Sequence, residues 1–359
     1  MRPVIEARAP GKLVIVGEYA VLYGAPGIAV AVDACALATL EARPGQDSEL
    51  IVPDTCARFR FHQDAGGLLD WDAPSPGPLA LPLESCIATL VAHGLLAHGA
   101  ELSACRIGLD TSDFQGRDAA GQRIKLGLGS SAAITVALMG ALLRFVRAAP
   151  QSHEKLRALC LEAHRRLQGG SGSGIDVLTA LAGGVISIDF PPGSDIPRET
   201  SLSWPGGLHM LAVWSGQSAS TTAMLDRLHS YRERQPAACT SHMARLRDIA
   251  GRTVSAWRAD EADAVLASLN SYAAALRDLD EDADIGIYGG GQAAIREIAL
   301  AHGATCKPSG AGGGDFGIAL TTSREVLAAM EKDFEACGYL CREAAPGAAG
   351  LRVQTRAQG

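Results

Sequence analysis

The sequence has no excess of positive charge: 32 Lys and Arg stand against 39 Asp and Glu, a formal net charge of -7. That balance argues against nucleic acid or an anionic membrane surface as the main partner, because both are bound through positive charge. It leaves room for a small anionic ligand, since a local pocket can be basic inside an acidic protein. The chain has no CxxC pair, and its nine cysteines are an odd number scattered from Cys35 to Cys341. They read as reduced, mostly buried thiols rather than metal ligands or disulfides. There is no long apolar run: the stretch from Leu13 to Val32 is broken by Glu18, several glycines and a proline, so it is not a membrane span. The first residues, MRPVIEARAPGK, contain no signal-type apolar region, and a cytoplasmic location is expected. No GxxxxGK[ST] occurs, which excludes a Walker-type phosphate loop. No internal repeat and no low-complexity segment is visible.

What is present is an ordinary globular composition, 47% hydrophobic and 20% charged over 359 residues, enough for two packed domains. Glycine is abundant, at 41 residues, and it clusters in a few loops. Such clusters mark positive φ or a backbone that must lie close to something else. Residues 4–42 read as three strands, IEARAP, KLVIVGEYAVLY and GIAVAVDACALATLEA. Residues 43–82 read as loops and short strands, 84–99 as a helix, and 105–114 as a strand running into a loop. A glycine turn opens a long apolar helix over 125–146, and a second helix follows over 154–167. Residues 171–190 read as another glycine turn, a helix and a strand. The Pro, Gly and charge in 191–200 make it the expected boundary, dividing the chain into 1–190 and 191–359. Beyond it lie a strand (208–214), a polar loop (215–222), helices across 223–280, and a helix at 291–302 leading into KPSGAGGGDFGIAL (307–320).

Three glycine-rich loops carry the chemistry. The first is Gly127-Leu128-Gly129-Ser130-Ser131-Ala132-Ala133, at the start of the long helix. A helix N-terminus offers unpaired N–H groups and a positive dipole end, and glycines let a phosphate come close. Ser130 and Ser131 are hydroxyls able to bond phosphate or to ligate Mg2+, a hard ion that takes oxygen. A plain serine-capped helix reads the same letters. A Rossmann reading fails, because the next segment is Pro150 and another helix rather than a strand ending in an acid. The second loop, Gly172-Ser173-Gly174-Ile175-Asp176, puts one acid at a helix start, where it is either a cap or a general base. The third, Ser309-Gly310-Ala311-Gly312-Gly313-Gly314-Asp315, has more glycine than a plain turn needs and reads as backbone wrapped around a ligand. Lys307 beside it could meet a phosphate or carboxylate, and Lys12 in Pro10-Gly11-Lys12 could stabilise charge on a transferred phosphoryl group.

These features, in this order, resemble the GHMP small-molecule kinases. GLGSSA at 127–132 resembles that family's ATP-binding motif, APGKLVIVGEYAVLYG at 9–24 its N-terminal segment, and SGAGGGD at 309–315 its C-terminal glycine motif. Within the family, AHRRLQGGSGSGIDV (163–177), GGGD ending in Asp315, and SGQSAST (215–221) are similar to phosphomevalonate kinases. Mevalonate kinases carry a Mg2+-binding Glu eleven residues before the catalytic Asp, and here that position is Arg165.

The resemblance implies an α+β, two-domain fold, an N-terminal domain like ribosomal protein S5 domain 2 and a ferredoxin-like C-terminal domain. It implies ATP and Mg2+ as cofactors, with Lys125, Gly127, Leu128, Gly129, Ser130, Ser131 and Ala132 on the nucleotide and Ser131 on the metal. Asp176 and Lys12 would be catalytic. Glu18, Tyr19, Ser173, Gly174, Ser220, Thr221, Lys307, Gly312, Gly313 and Asp315 would face the acceptor. Two anions must meet in such a site, so Lys12, Lys125 and Lys307, with Arg165 or Arg166, are the expected cations. The expected partners are ATP and a small anionic acceptor, with no nucleic acid and no membrane. An alcohol kinase, a diphosphomevalonate decarboxylase and an inactive ligand sensor of the same fold are the rival readings.

Overall fold

The run Ser130–Phe145 carries apolar side chains on every face, so as a helix it is stable only inside the protein. In the computed structural model it is, with Ala132 through Leu143 all buried. The structure describes residues 3–96, 102, 104–117, 121, 123–148, 152–170, 172–191, 196–343 and 347–357. Ser171, just before the second loop, and residues 192–195 of the expected boundary lie outside the described residues.

Two sheets organise the described residues. The larger runs in the order Arg198–Leu202, Val185–Asp189, Gly27–Ala42, Cys105–Asp110, Ser48–Val52, Ala57–Gln63, Leu69–Trp71. Pro3–Val16 joins it by pairing antiparallel with both Gly27–Ala42 and Arg352–Ala357. Its helices are Leu81–Ala92, Ser130–Phe145, His153–Leu167 and Ile175–Ala182. The smaller sheet is antiparallel, Thr305–Pro308, Phe316–Thr321, His209–Trp214, Leu340–Glu343, and is covered by Gln292–Ala301 and Arg324–Ala336. The helices Thr221–Arg234, Pro236–Arg258 and Ala262–Ala283 lie between, and their buried faces are continuous with the core of the larger sheet. This is the mixed α+β, two-part architecture the resemblance implied. No helix among the described residues is long and apolar enough to cross a membrane. All nine cysteines are free, and five are buried, two half-buried and two exposed.

Three expectations change. IEARAP and KLVIV are a single strand, Pro3–Val16, and Glu18 to Tyr23 leave the sheet through a turn and the short helix Ala20–Tyr23. The register jumps from Pro10 opposite Cys35 to Gly11 opposite Val32, leaving Asp33 and Ala34 as a bulge. Proline has no ladder N–H, so it sits naturally beside such a break. The helix expected at 84–99 is Leu81–Ala92, and 97–100 lie outside the described residues. Finally, both Arg198–Leu202 and Arg352–Ala357 pair in the larger sheet, so sheet membership does not divide the chain at 190. Val185–Asp189 and Arg198–Leu202, on either side of that position, pair antiparallel with each other.

Candidate active site

The bulge at Asp33–Ala34 has a local consequence: the backbone N–H of Lys12 bonds the carbonyl of Leu128 at 2.9 Å. The first strand is thereby tied to the first glycine loop. Gly127 and Gly129 are both left-handed, at φ 66 and 82. A side chain at Gly127 would strike the Asp315 carboxylate, and a Cβ at Gly129 would lie 3.4 Å from the Lys12 side chain and 3.5 Å from Asp176 Oδ2. Glycine is required there both by φ and by space. Gly129 is also the N-cap of Ser130–Phe145, and no side chain caps that helix. Its first-turn N–H groups are open to an anion, with the positive end of the helix dipole behind them.

Asp176 comes from the next glycine loop. It lies in the first turn of Ile175–Ala182, whose N-cap is Gly174, and it makes no capping bond. Its carboxylate faces Lys12 instead, with Oδ1 3.5 Å from Nζ. The Lys12 side chain is 10% exposed and that of Asp176 30%, so the pair is sheltered yet reachable. Two helix N-termini, one ammonium and one carboxylate therefore converge on one point.

Two cavities flank that point. A larger one of about 720 Å3 is lined by Lys12, Glu18, Tyr19, Ser173, Gly174, Asp176 and Thr221 among others. A second of about 350 Å3 is lined by Phe114, Gln115, Arg123, Ile124, Lys125 and Ser130 among others. Ser130 and Lys125 thus open onto a different space from Asp176, with the Gly127–Gly129 turn between them.

Several expected acceptor contacts are placed elsewhere. Lys307 is completely buried and is paired with Glu18, while also donating to the Pro308 carbonyl at 2.7 Å. Burial pulls its ammonium below the usual lysine range, and the Glu18 carboxylate opposes this. Lys307 is thus a partner for Glu18 rather than a cavity ligand. Lys307→Met leaves a buried carboxylate without its cation, and breaking such a pair costs about 3–5 kcal/mol. Urea unfolding is expected to show a loss of that size. The double variant Glu18→Gln, Lys307→Met should recover part of it.

Gly312 and Gly313 also face inward. Gly313 N–H bonds the Ile287 carbonyl at 2.8 Å, and a side chain at Gly312 would overlap that same carbonyl. These glycines permit backbone-on-backbone packing, and the cavity is met by Gly310 and Ala311. Asp315 lies behind the Gly127–Gly129 turn, where its Oδ1 accepts the Ala219 N–H at 3.3 Å. Burial pushes its carboxyl up, against the pull of that N–H and of Lys12 and Lys125. Ser220 caps Thr221–Arg234 by accepting the Ala223 N–H at 3.3 Å, which leaves Thr221 on the cavity. Tyr19, at φ 61, donates its hydroxyl to the Ala311 carbonyl and so joins the first segment to the third loop. Arg166 pairs with Glu162 at 2.7 Å, and Arg165 is exposed.

Sequence reasoning missed four cavity residues. Thr222, Asp226 and His229 line the larger space from one helix, at i, i+4 and i+7. That spacing was available as a signal of a single face. The fourth is His164, which is 5% exposed and has Nε2 3.3 Å from Ser131 Oγ. Burial lowers its imidazole below the usual histidine range, with Asp176 opposing, so the ring is neutral at pH 7.

No cluster of three or more His, Cys, Asp or Glu able to hold a metal exists among the described residues. Mg2+ bound chiefly by nucleotide phosphates needs only one or two protein oxygens. Ser131 Oγ and the Asp176 carboxylate are oxygens of the right kind on the two converging helices.

Comparison with known proteins agrees with this geometry. Residues 118–184 match the GHMP kinases N terminal domain. A phosphomevalonate kinase of Streptomyces sp. (strain CL190) is 29% identical over 377 residues, spanning 97% of this chain and 98% of the relative. The Lin0012 protein of Listeria innocua superposes with a TM-score of 0.81 at 24% identity, covering 98% of this chain and 99% of that one. The phosphomevalonate kinase of Streptococcus pneumoniae, solved with phosphomevalonate and AMPPNP, superposes with a TM-score of 0.73 at 16% identity, covering 94% and 99%. The two structures speak for the fold alone. Residues 118–184 are thus similar to a GHMP kinase domain, and the glycine turn within them is set against Lys12 and Asp176.

Proposed function

We propose that this chain is an ATP-dependent kinase of GHMP type that transfers the γ-phosphoryl group of ATP to a phosphate oxygen of a small phosphorylated acid, with phosphomevalonate as acceptor and diphosphomevalonate as product. The observation that carries the reading is the Lys12–Asp176 pair on the wall of the larger cavity, packed against Gly129 of the glycine turn, with the smaller cavity opening at Lys125 and Ser130 on either end of that turn. The full-length similarity to a phosphomevalonate kinase supports the choice of acceptor.

In this reading the triphosphate lies along the Gly127–Ala132 turn, on the open N–H groups of Ser130–Phe145, and the nucleoside occupies the space beside Lys125 and Ser130. The acceptor fills the larger cavity, against Tyr19, Ser173, Gly174 and Thr221. Its phosphate oxygen attacks the γ-phosphorus, the bond to the β–γ bridging oxygen breaks, and ADP leaves with that electron pair. A phosphate monoester is already ionised near neutral pH, so Asp176 acts chiefly by orienting the nucleophile. Lys12 meets the charge on the transferred group, and positioning with electrostatics provides most of the rate. Mg2+, held by the phosphates with Ser131, would neutralise charge between the β and γ groups.

One observation favours an alcohol acceptor such as mevalonate as a second reading. Lys12 is the only lysine or arginine among the described residues lining the larger cavity. Positive charge for an acceptor phosphate then comes from the N-termini of Ile175–Ala182 and Thr221–Arg234. ADP release measured with phosphomevalonate, mevalonate, galactose and homoserine decides between them. The expected outcome is a kcat/KM for phosphomevalonate about 10²-fold or more above that for the other three, a gap of about 2.7 kcal/mol in transition-state binding. A preference for mevalonate would overturn the assignment of acceptor.

A further inference from the structure

We infer that His164 is a positioning residue for the nucleotide's metal–phosphate group: its Nε2 accepts the Ser131 hydroxyl and turns that oxygen's lone pairs toward the site. The inference rests on the kinase reading of the first glycine turn, and it assigns a task to a side chain that reading leaves idle.

Three observations carry it. The first is the contact, with Ser131 Oγ 3.3 Å from His164 Nε2 across 33 residues of sequence. Such bonds are often long before ligands bind. The second is that Ser131 is otherwise uncommitted at its side chain: Thr135 Oγ1 donates to the backbone carbonyl of Ser131, at 2.8 Å, and leaves Oγ to the imidazole. The third is location. His164, on His153–Leu167, is almost fully buried and forms part of the wall of the larger cavity beside Lys12 and Asp176. The Ser131–His164 contact therefore bridges the nucleotide turn and the acceptor space.

The direction of the bond follows from the chemistry of a hydroxyl, which has one proton and two lone pairs. If the imidazole donated to Ser131, one lone pair would be used and the hydroxyl proton would point toward the incoming cation. If Ser131 donates to Nε2, both lone pairs remain for a hard cation or a phosphate-bound donor. Only the second arrangement leaves both lone pairs of Ser131 to a cation, and it requires the tautomer with the proton on Nδ1. Outer partners of this kind fix the orientation of the group that touches the metal.

The test separates metal-bound from metal-free nucleotide, using Mn2+ as a paramagnetic probe. Binding of Mn2+·ADP by electron paramagnetic resonance, and of ADP in excess chelator by calorimetry, is measured for the wild type, His164→Leu and His164→Gln. Loss of an outer partner typically lowers metal affinity about 10- to 100-fold, so His164→Leu is expected to weaken Mn2+·ADP by at least about tenfold. Metal-free ADP should change by less than about twofold, and the amide of His164→Gln should restore most of the loss. Equal weakening of both forms, or of neither, would overturn the inference. So would a rise confined to the acceptor's KM, which would make His164 an acceptor contact. Should His164→Leu not fold, Ser131→Ala takes its place. It should produce the same selective loss, and adding His164→Gln to it should change nothing further. A wild type that binds neither form of ADP would defeat the kinase reading itself, an outcome distinct from a selective loss that fails to appear.

Discussion

Asp176→Asn is expected to lower kcat by about 10²- to 10⁴-fold while the KM for ATP stays nearly constant, the range seen when a positioned acid–base group is removed. The substitution keeps the shape of the side chain and its place in the first turn of Ile175–Ala182. What it removes is the negative charge 3.5 Å from Lys12 Nζ, together with a strong acceptor for the nucleophile. Its magnitude also reports the acceptor. An alcohol must lose a proton as it attacks, so its transfer should fall toward the upper end of the range. A phosphate oxygen arrives ionised, and its transfer should fall toward the lower end. Steady-state kinetics of the Asn variant with both acceptors provides the two numbers. Full turnover with either one would remove Asp176 from the mechanism.

Lys12→Met is expected to cost about 10²- to 10³-fold in kcat, the usual loss when one preorganised donor to developing charge is removed. Lys12 is held unusually well for a lysine: its N–H is bound to Leu128, its stem lies against Gly129, and its ammonium meets Asp176. Lys12→Arg should not rescue, because a planar fork cannot replace a compact ammonium in a space shaped by Gly129 and Gly310. The pair should behave as one unit. The double variant Lys12→Met, Asp176→Asn is expected to be little worse than the more damaged single variant. A kcat within about threefold of wild type for Lys12→Met would contradict the role assigned to it, since a lost donor of this kind costs far more.

The glycine turn was legible because its demands are local. Two left-handed glycines before an all-apolar helix describe an open helix N-terminus whatever surrounds them. Lys12 and Asp176 were legible for another reason: each sits beside such a turn in a segment resembling a known family. His164 was not, although it stands inside a motif read from the sequence. A histidine on a helix shows its task only when the partner across the fold is known, and Ser131 is 33 residues away. Lys307 looked like a ligand for the same reason, since a charged residue beside a glycine loop carries no mark of a partner 289 residues distant.

The sequence by itself determined the elements whose stability is set by neighbours within a few residues: the buried helix Ser130–Phe145, the glycine turns, and the long amphipathic helices after Thr221. Only the tertiary structure decided what each charge and each glycine faces. Arg352–Ala357 returns to pair with Pro3–Val16, Gly312 and Gly313 pack on Ile287, and Lys307 turns inward to Glu18 while Lys12 stays at the cavity. Local propensity acts over single turns and strands, whereas the cost of leaving a buried charge or backbone group unpaired is settled by whichever partner the fold brings within reach.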